Sequence, residues 1–144
     1  MRCVIAYLSY SGNTMEVAEM LEDYLLQDGM AVDLHRIGAD PPVDASSYDC
    51  IFIGTFTWDR GSTPDEVKDF VLEIGYKPDC VAVFGTGDTQ FGGGALFCRA
   101  VDKLTHFYGS DWNGLKIEQS PRGSQEKLVK NWIEGVLHDV KSIA

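Results

Sequence analysis

Three stretches of this 144-residue chain gather residue types that hold ligands. The first, Ser9-Tyr10-Ser11-Gly12-Asn13-Thr14, joins an apolar strand to an acidic helix. Hydroxyls, an amide and backbone N–H groups at the positive end of a helix dipole suit a phosphate. No lysine or arginine stands among them. The Gly-Lys-Ser/Thr of a Walker loop and the three spaced glycines of a dinucleotide fingerprint are both missing. A phosphate here would be held by neutral donors alone, which requires that nearly every oxygen be hydrogen-bonded. The plainer reading of the same residues is a helix N-cap followed by a polar turn.

The second stretch, Gly54-Thr55-Phe56-Thr57-Trp58-Asp59-Arg60-Gly61-Ser62-Thr63-Pro64, places an indole in a polar loop. Such a ring is costly to leave in water and makes a good platform for a flat aromatic ligand. The third, Gly85-Thr86-Gly87-Asp88-Thr89-Gln90-Phe91-Gly92-Gly93-Gly94, has small residues that let backbone approach a ligand, and Phe91 offers a second apolar face. Singly, each aromatic could simply cover the end of a sheet. All three loops at one edge would form a slot for a planar ring with a phosphate tail.

The elements between them set where that edge lies. Apolar runs of strand length, 2–8, 31–37, 49–55, 80–86 and 114–118, alternate with helical periods at 14–28, 64–75, 95–108 and 124–142. Cys50-Ile51-Phe52-Ile53 and Val81-Ala82-Val83-Phe84 are continuously apolar, as expected for strands covered on both faces. Ala18, Leu21 and Leu25 form one helical stripe, and Val129, Ile133, Val136 and Val140 form another. Pro64 suits a first helical turn, with Ser62 or Thr63 as its cap. Gly38 to Tyr48 leaves room for an abbreviated helix or a loop. Right-handed crossovers then predict an α/β doubly wound sandwich, a five-stranded parallel sheet in the order 2-1-3-4-5 with helices on both faces. Its ligand crevice lies outside the carboxyl ends of strands 1, 3 and 4, where the three loops emerge.

Composition narrows the function. The length suffices for one domain with a substantial core, and the early apolar run Val4 to Leu8 is too short for a signal or membrane segment. A cytoplasmic protein is expected. Of the formal charge of −10, all the excess lies in residues 1 to 79, which hold 15 acids against 5 bases, so nucleic acid and anionic lipid are repelled and a basic protein partner is attracted. The same charge also serves solubility. Cys3, Cys50, Cys80 and Cys98 form no CxxC pair and read as buried thiols, with a metal or redox pair as the alternative. The three histidines share no spacing and carry no predicted chemistry. Trp112 and Trp132 read as packing residues.

Taken in order, the three loops resemble those of the flavodoxins. The Gly-Asn-Thr loop of that family matches Ser9 to Thr14, its Thr-x-Thr-Trp loop matches Thr55 to Trp58, and its Gly-Ser/Thr-Gly-Asp loop matches Gly85 to Asp88. Phe97-Cys98 and Leu115 to Glu118 also look like family segments. With no long insertion in the last strand, the chain resembles the short-chain branch. The resemblance implies FMN, with Ser9, Ser11, Gly12, Asn13 and Thr14 on its phosphate and Tyr10 adding a backbone N–H. It implies Trp58 stacked on one ring face and Phe91 where the family usually has a tyrosine on the other. Backbone from Thr55 through Phe56, Thr57, Asp59, Arg60 and Gly61, and from Thr86 through Gly87 to Asp88, would bond the ring edge. The dimethylbenzene edge would stay accessible. The implied function is a low-potential electron carrier, not an enzyme with a substrate of its own. Its partners would be a flavodoxin/ferredoxin reductase and acceptor proteins docking by charge, and the carrier itself a monomer. An electron-rich ring partner and the acids Asp59, Asp65, Glu66, Asp69 and Asp88 would oppose added negative charge, so a strongly reducing potential is expected.

Two departures from the family pattern stand out. Asp59, followed by Arg60, occupies the position after the stacking aromatic where many relatives have glycine. A side chain in a turn that demands positive φ costs about 1 kcal/mol or more. The two one-electron steps are therefore expected to lie closer together than in a glycine-bearing relative. Gln90 to Ala95 is longer and richer in glycine than in relatives, which loosens the expected stacking of Phe91. An alternative within the fold is the flavodoxin-like activator of manganese ribonucleotide reductase. A phosphoacceptor receiver is disfavoured because Thr55 and Ser9-Tyr10 stand where it needs acids, and a tyrosine phosphatase because Cys-x5-Arg is absent from the first loop. A flavin-free binding domain is the remaining option from another class.

Overall fold

A computed structural model describes residues 1–57, 61–88 and 96–143. In chain order these form β1 (Arg2–Tyr7), α1 (Asn13–Gln27), β2 (Ala31–Arg36), a single 3-10 turn (Ala45–Ser47), β3 (Cys50–Phe56), α2 (Asp65–Ile74), β4 (Val81–Gly87), α3 (Arg99–Tyr108), β5 (Leu115–Glu118) and α4 (Gln125–Ile143). The strands make one parallel sheet in the order β2-β1-β3-β4-β5, as the alternation of apolar runs and helical periods predicts.

The two-residue period of a strand sends alternate side chains to opposite faces, and each face is covered by its own helices. Cys3, Ile5 and Tyr7 of β1 join one core with Val17, Leu21 and Leu25 of α1 and Val129, Ile133 and Val136 of α4. Val4 and Ala6 join a second core with Val67 and Phe70 of α2 and Val101 and Leu104 of α3. Burial on both faces is why β3 and β4 carry the unbroken apolar runs Cys50–Ile53 and Val81–Phe84. The edge strand β2, by contrast, buries only His35 fully. Trp112 and Trp132 pack on the first core, and their indole N–H groups donate to Asp139 Oδ2 at 2.9 Å and to the Asn113 carbonyl at 2.8 Å.

Several boundaries differ from expectation. Pro64 lies just outside α2 in extended backbone, and neither Ser62 nor Thr63 caps the helix. Asp65 and Glu66 occupy the first turn instead, where their charge complements the helix dipole. Expected from residue 95, α3 begins at Arg99 because Cys98 adopts left-handed backbone, φ 51°, which a continuous helix cannot include. β3 and β4 each run one residue further than the apolar pattern suggested, to Phe56 and Gly87. Between Gly38 and Tyr48 the abbreviated helix is the 3-10 turn, capped by Asp44 Oδ1 accepting from the Ser46 N–H at 3.1 Å.

Candidate functional site

The carboxyl ends of β1, β3 and β4 are adjacent in the sheet, so the loops that follow them meet at one edge. In the first loop Gly12 takes φ 94° and ends the turn as the residue before α1, a conformation that any side chain would strain. No side chain caps α1. The Ser9 hydroxyl accepts from the Gly12 N–H at 3.1 Å, and the Ser11 hydroxyl accepts weakly from the Asn13 N–H at 3.4 Å. The polar turn of the plainer reading is present, but its N-cap residue is Gly12, which has no side chain to cap with. What remains is an uncapped helix start beside hydroxyls and an amide, the donor set that an anion needs.

The hydroxyls of Thr14 and Thr86 meet at 2.8 Å, and both residues are buried, at 1% and 3% exposure. This contact ties the first turn of α1 to the end of β4. Gly85, next to Thr86, has no room for a side chain: a Cβ would lie 2.4 Å from the Thr55 carbonyl oxygen and 2.4 Å from Val101. Gly87 sits against Cys98 and Phe97, and its carbonyl accepts from the Gln119 N–H at 2.7 Å. Asp88 accepts from the Gln119 amide at 3.3 Å. Burial pushes the Cys98 thiol up to about 12, so it stays protonated beneath the third loop.

In the second loop Thr55 is completely buried, and its hydroxyl donates to the Phe56 carbonyl at 2.8 Å. Phe56 lies 4.9 Å from the Tyr10 ring, centroid to centroid. Tyr10, 63% exposed, donates its phenol hydrogen to Glu66 Oε2 and so joins the first loop to α2. The Thr57 hydroxyl accepts from the Ala100 N–H at 3.1 Å, and Lys103 Nζ donates to the Gly61 carbonyl at 2.9 Å. Of the residues singled out in the sequence, Trp58, Asp59, Arg60 and Phe91 lie outside the described residues. The structure brings the other thirteen to the shared edge.

The sequence reading missed the groups that set these loops: Lys103, the Ala100 N–H, Glu66 as the partner of Tyr10, and Gln119. Their partners are 42, 43, 56 and 31 residues away, so no local spacing could have shown them. A groove of about 660 Å³ lined by Asp102, His106, Asn113 and Lys116 lies away from the three loops, and its charges are partly answered by the Lys116–Asp102 ion pair at 2.8 Å.

Comparison with known proteins bears on the same residues. The family model for Flavodoxin matches residues 5–110, a span that begins in β1 and contains all three loops. Probable flavodoxin 2 of Bacillus subtilis (strain 168) is 35% identical over 142 residues, covering 91% of each chain. The structure of oxidised Flavodoxin 2 from Bacillus cereus superposes with a TM-score of 0.83 at 30% identity, over 96% of this chain and 99% of that one. A short-chain flavodoxin associated with a non-canonical PDU bacterial microcompartment gives a TM-score of 0.85 over 97% and 99% of the two chains, and at 22% identity it speaks for the fold alone. The strand order, the three loops at one sheet edge and relatives matched over nine-tenths or more of the chain agree, and the chain belongs to the flavodoxin family.

Proposed function

We propose that this chain binds FMN at the carboxyl ends of β1, β3 and β4 and carries electrons singly between redox proteins. The observation that carries this reading is the uncapped start of α1, rich in neutral donors, locked to β4 through Thr14 and Thr86. Ser9, Ser11, Asn13 and Thr14, with the Tyr10 and Gly12 backbone, would hold the phosphate by hydrogen bonds rather than by a cation. That choice lets the loop take an ionised ester without adding positive charge near the ring. The described residues fit the group: the hydroxyls of Ser9 and Ser11, the Asn13 amide and the helix start at Asn13 are neutral donors at one edge, and Tyr10 with Phe56 walls its side toward α2.

FMN, when bound, supplies one-electron redox chemistry through its ring. The chain's own residues would orient it, exclude water from one side and set the field around it. Trp58 and Phe91 are assigned to the ring faces, and the backbone from Thr57 to Gly61 and from Gly87 to Asp88 to its edge. Glu66 beside Tyr10 and Asp88 beside Gln119 contribute negative charge at the rim, which favours a low potential.

The test is anaerobic reductive titration of the purified chain followed by absorbance, with flavin exchange on the stripped protein. Expected are a yellow protein, stepwise reduction at low potential, and FMN binding at least about 100-fold tighter than riboflavin, a phosphate contribution of roughly 3 kcal/mol. Equal affinity for riboflavin and FMN, or no flavin binding, would overturn the reading.

A further inference from the structure

The sheet has a second chemically distinct end. Three of the four cysteines converge on the amino ends of its three central strands, opposite the flavin loops. Cys3 of β1 is the register partner of Cys50 of β3. One step before the Ile51–Val81 pair, Cys80 stands beside Cys50, and its carbonyl accepts from the Ile51 N–H at 3.0 Å. Neighbouring strands lie about 4.8 Å apart, inside the span of roughly 4.4–6.8 Å between α-carbons that a disulfide bridges. The side chains share one face, packed with the α1 and α4 core. Cys50 is buried at 1% exposure, whereas Cys80, just ahead of β4, is partly exposed and sits outside the regular ladder.

The geometry points to Cys50 and Cys80 as an oxidisable dithiol, a modification site in which peroxide converts the pair reversibly to a disulfide joining β3 to β4. Exposure sets the roles, since solvent reaches Cys80 and not Cys50. The neighbouring Cys50 lowers the Cys80 thiol against the opposing effects of burial and of Asp111 and Asp49, while the neighbouring Cys80 and burial hold Cys50 protonated. Cys80 is thus the attacking sulfur and Cys50 the resolving one. The Cys80 thiolate attacks one oxygen of hydrogen peroxide, the O–O bond breaks and hydroxide leaves, giving a sulfenic acid. The Cys50 sulfur then attacks the Cys80 sulfur, its proton leaves with the sulfenic oxygen as water, and the S–S bond forms. Two thiols are oxidised, one peroxide is reduced and two waters result.

The other thiols serve as internal controls. Cys3 donates its S–H to Met30 Sδ at 3.7 Å, and burial pushes it up to about 11. Cys98 is at 1% exposure and is pushed up to about 12. Neither presents a thiolate to solvent. Among the described residues no cluster of three or more ligands could hold a metal, so the row of thiols is not a three-coordinate metal site.

The experiment treats the full-length chain with a modest excess of hydrogen peroxide, counts thiols in denaturant and maps the peptides without reduction. Two of the four thiols should disappear, a single intrachain link should join Cys50 to Cys80, and dithiothreitol should restore both. Cys80→Ser should keep its three remaining thiols, whereas Cys50→Ser should leave a sulfenic acid at Cys80 that dimedone traps. The inference is overturned if all four thiols persist, if the link joins another pair or two chains, if Cys80 goes to sulfinic acid with Cys50 still reduced, or if Cys80→Ser loses thiols as fast as the unmodified chain.

Discussion

The hydroxyls of Thr14 and Thr86 face each other from positions 72 residues apart, and with both side chains buried neither has water as a substitute partner. Removing one hydroxyl leaves the other desolvated and unpaired, which costs about 1–3 kcal/mol, whereas removing both takes away donor and acceptor together. Thr14→Val and Thr86→Val should each lower stability by about that amount, and the double variant by clearly less than the sum. Urea denaturation of the four proteins closes the cycle, and strict additivity would mean that the contact does not join the loops. Gly85 makes the same point with no polar group involved. The 2.4 Å from its missing Cβ to the Thr55 carbonyl oxygen is a backbone contact, so no side-chain rotation relieves it.

Among the elements, α3 depends most visibly on a distant segment. Its preceding residue, Cys98, offers no side-chain cap, and the helix borrows the Thr57 hydroxyl for its Ala100 N–H. Lys103 on the same helix donates to the Gly61 carbonyl. Helix start and loop therefore hold each other on both sides of the three residues Trp58-Asp59-Arg60. Loss of a cap of this kind costs about 1 kcal/mol. Thr57→Ala should lower stability by that amount and speed hydrogen exchange of the first α3 amides, while Thr57→Ser should behave like the unmodified chain. Exchange that is unchanged in Thr57→Ala would show that α3 starts without help from the second loop.

Across the whole molecule the charge is the main lever. Ion pairs such as Arg2–Asp33 at 3.3 Å and Arg122–Glu16 at 3.4 Å are exposed and contribute little to stability. The uneven sum over the chain, −10 in all with the excess in the first half, acts at longer range. If partners dock by charge, the rate of electron exchange with a basic partner should fall by roughly tenfold or more as salt rises from low to physiological levels, where the Debye length is about 8 Å. Asp65→Lys combined with Asp69→Lys on α2, both exposed, should slow that exchange and flatten its salt dependence. Stopped-flow rates over a salt series test this, and a salt-independent rate would remove charge from the docking step. No helix is long and apolar enough to cross a membrane among the described residues. No observation favours the reductase-activator alternative over the carrier reading.

Strand order and helix placement were legible in the chain because they rest on periods of two and 3.6 residues, which every segment carries within itself. The continuous apolar run Cys50-Ile51-Phe52-Ile53 announced a strand covered on both sides, from local residue types alone. The left-handed backbone of Cys98 that starts α3 at Arg99 and the uncapped beginning of α2 could not be read in that way. Nor could the Thr14–Thr86 contact, the Tyr10–Glu66 link and the Cys50–Cys80 juxtaposition, each of which joins groups far apart along the chain that only the folded sheet brings within reach.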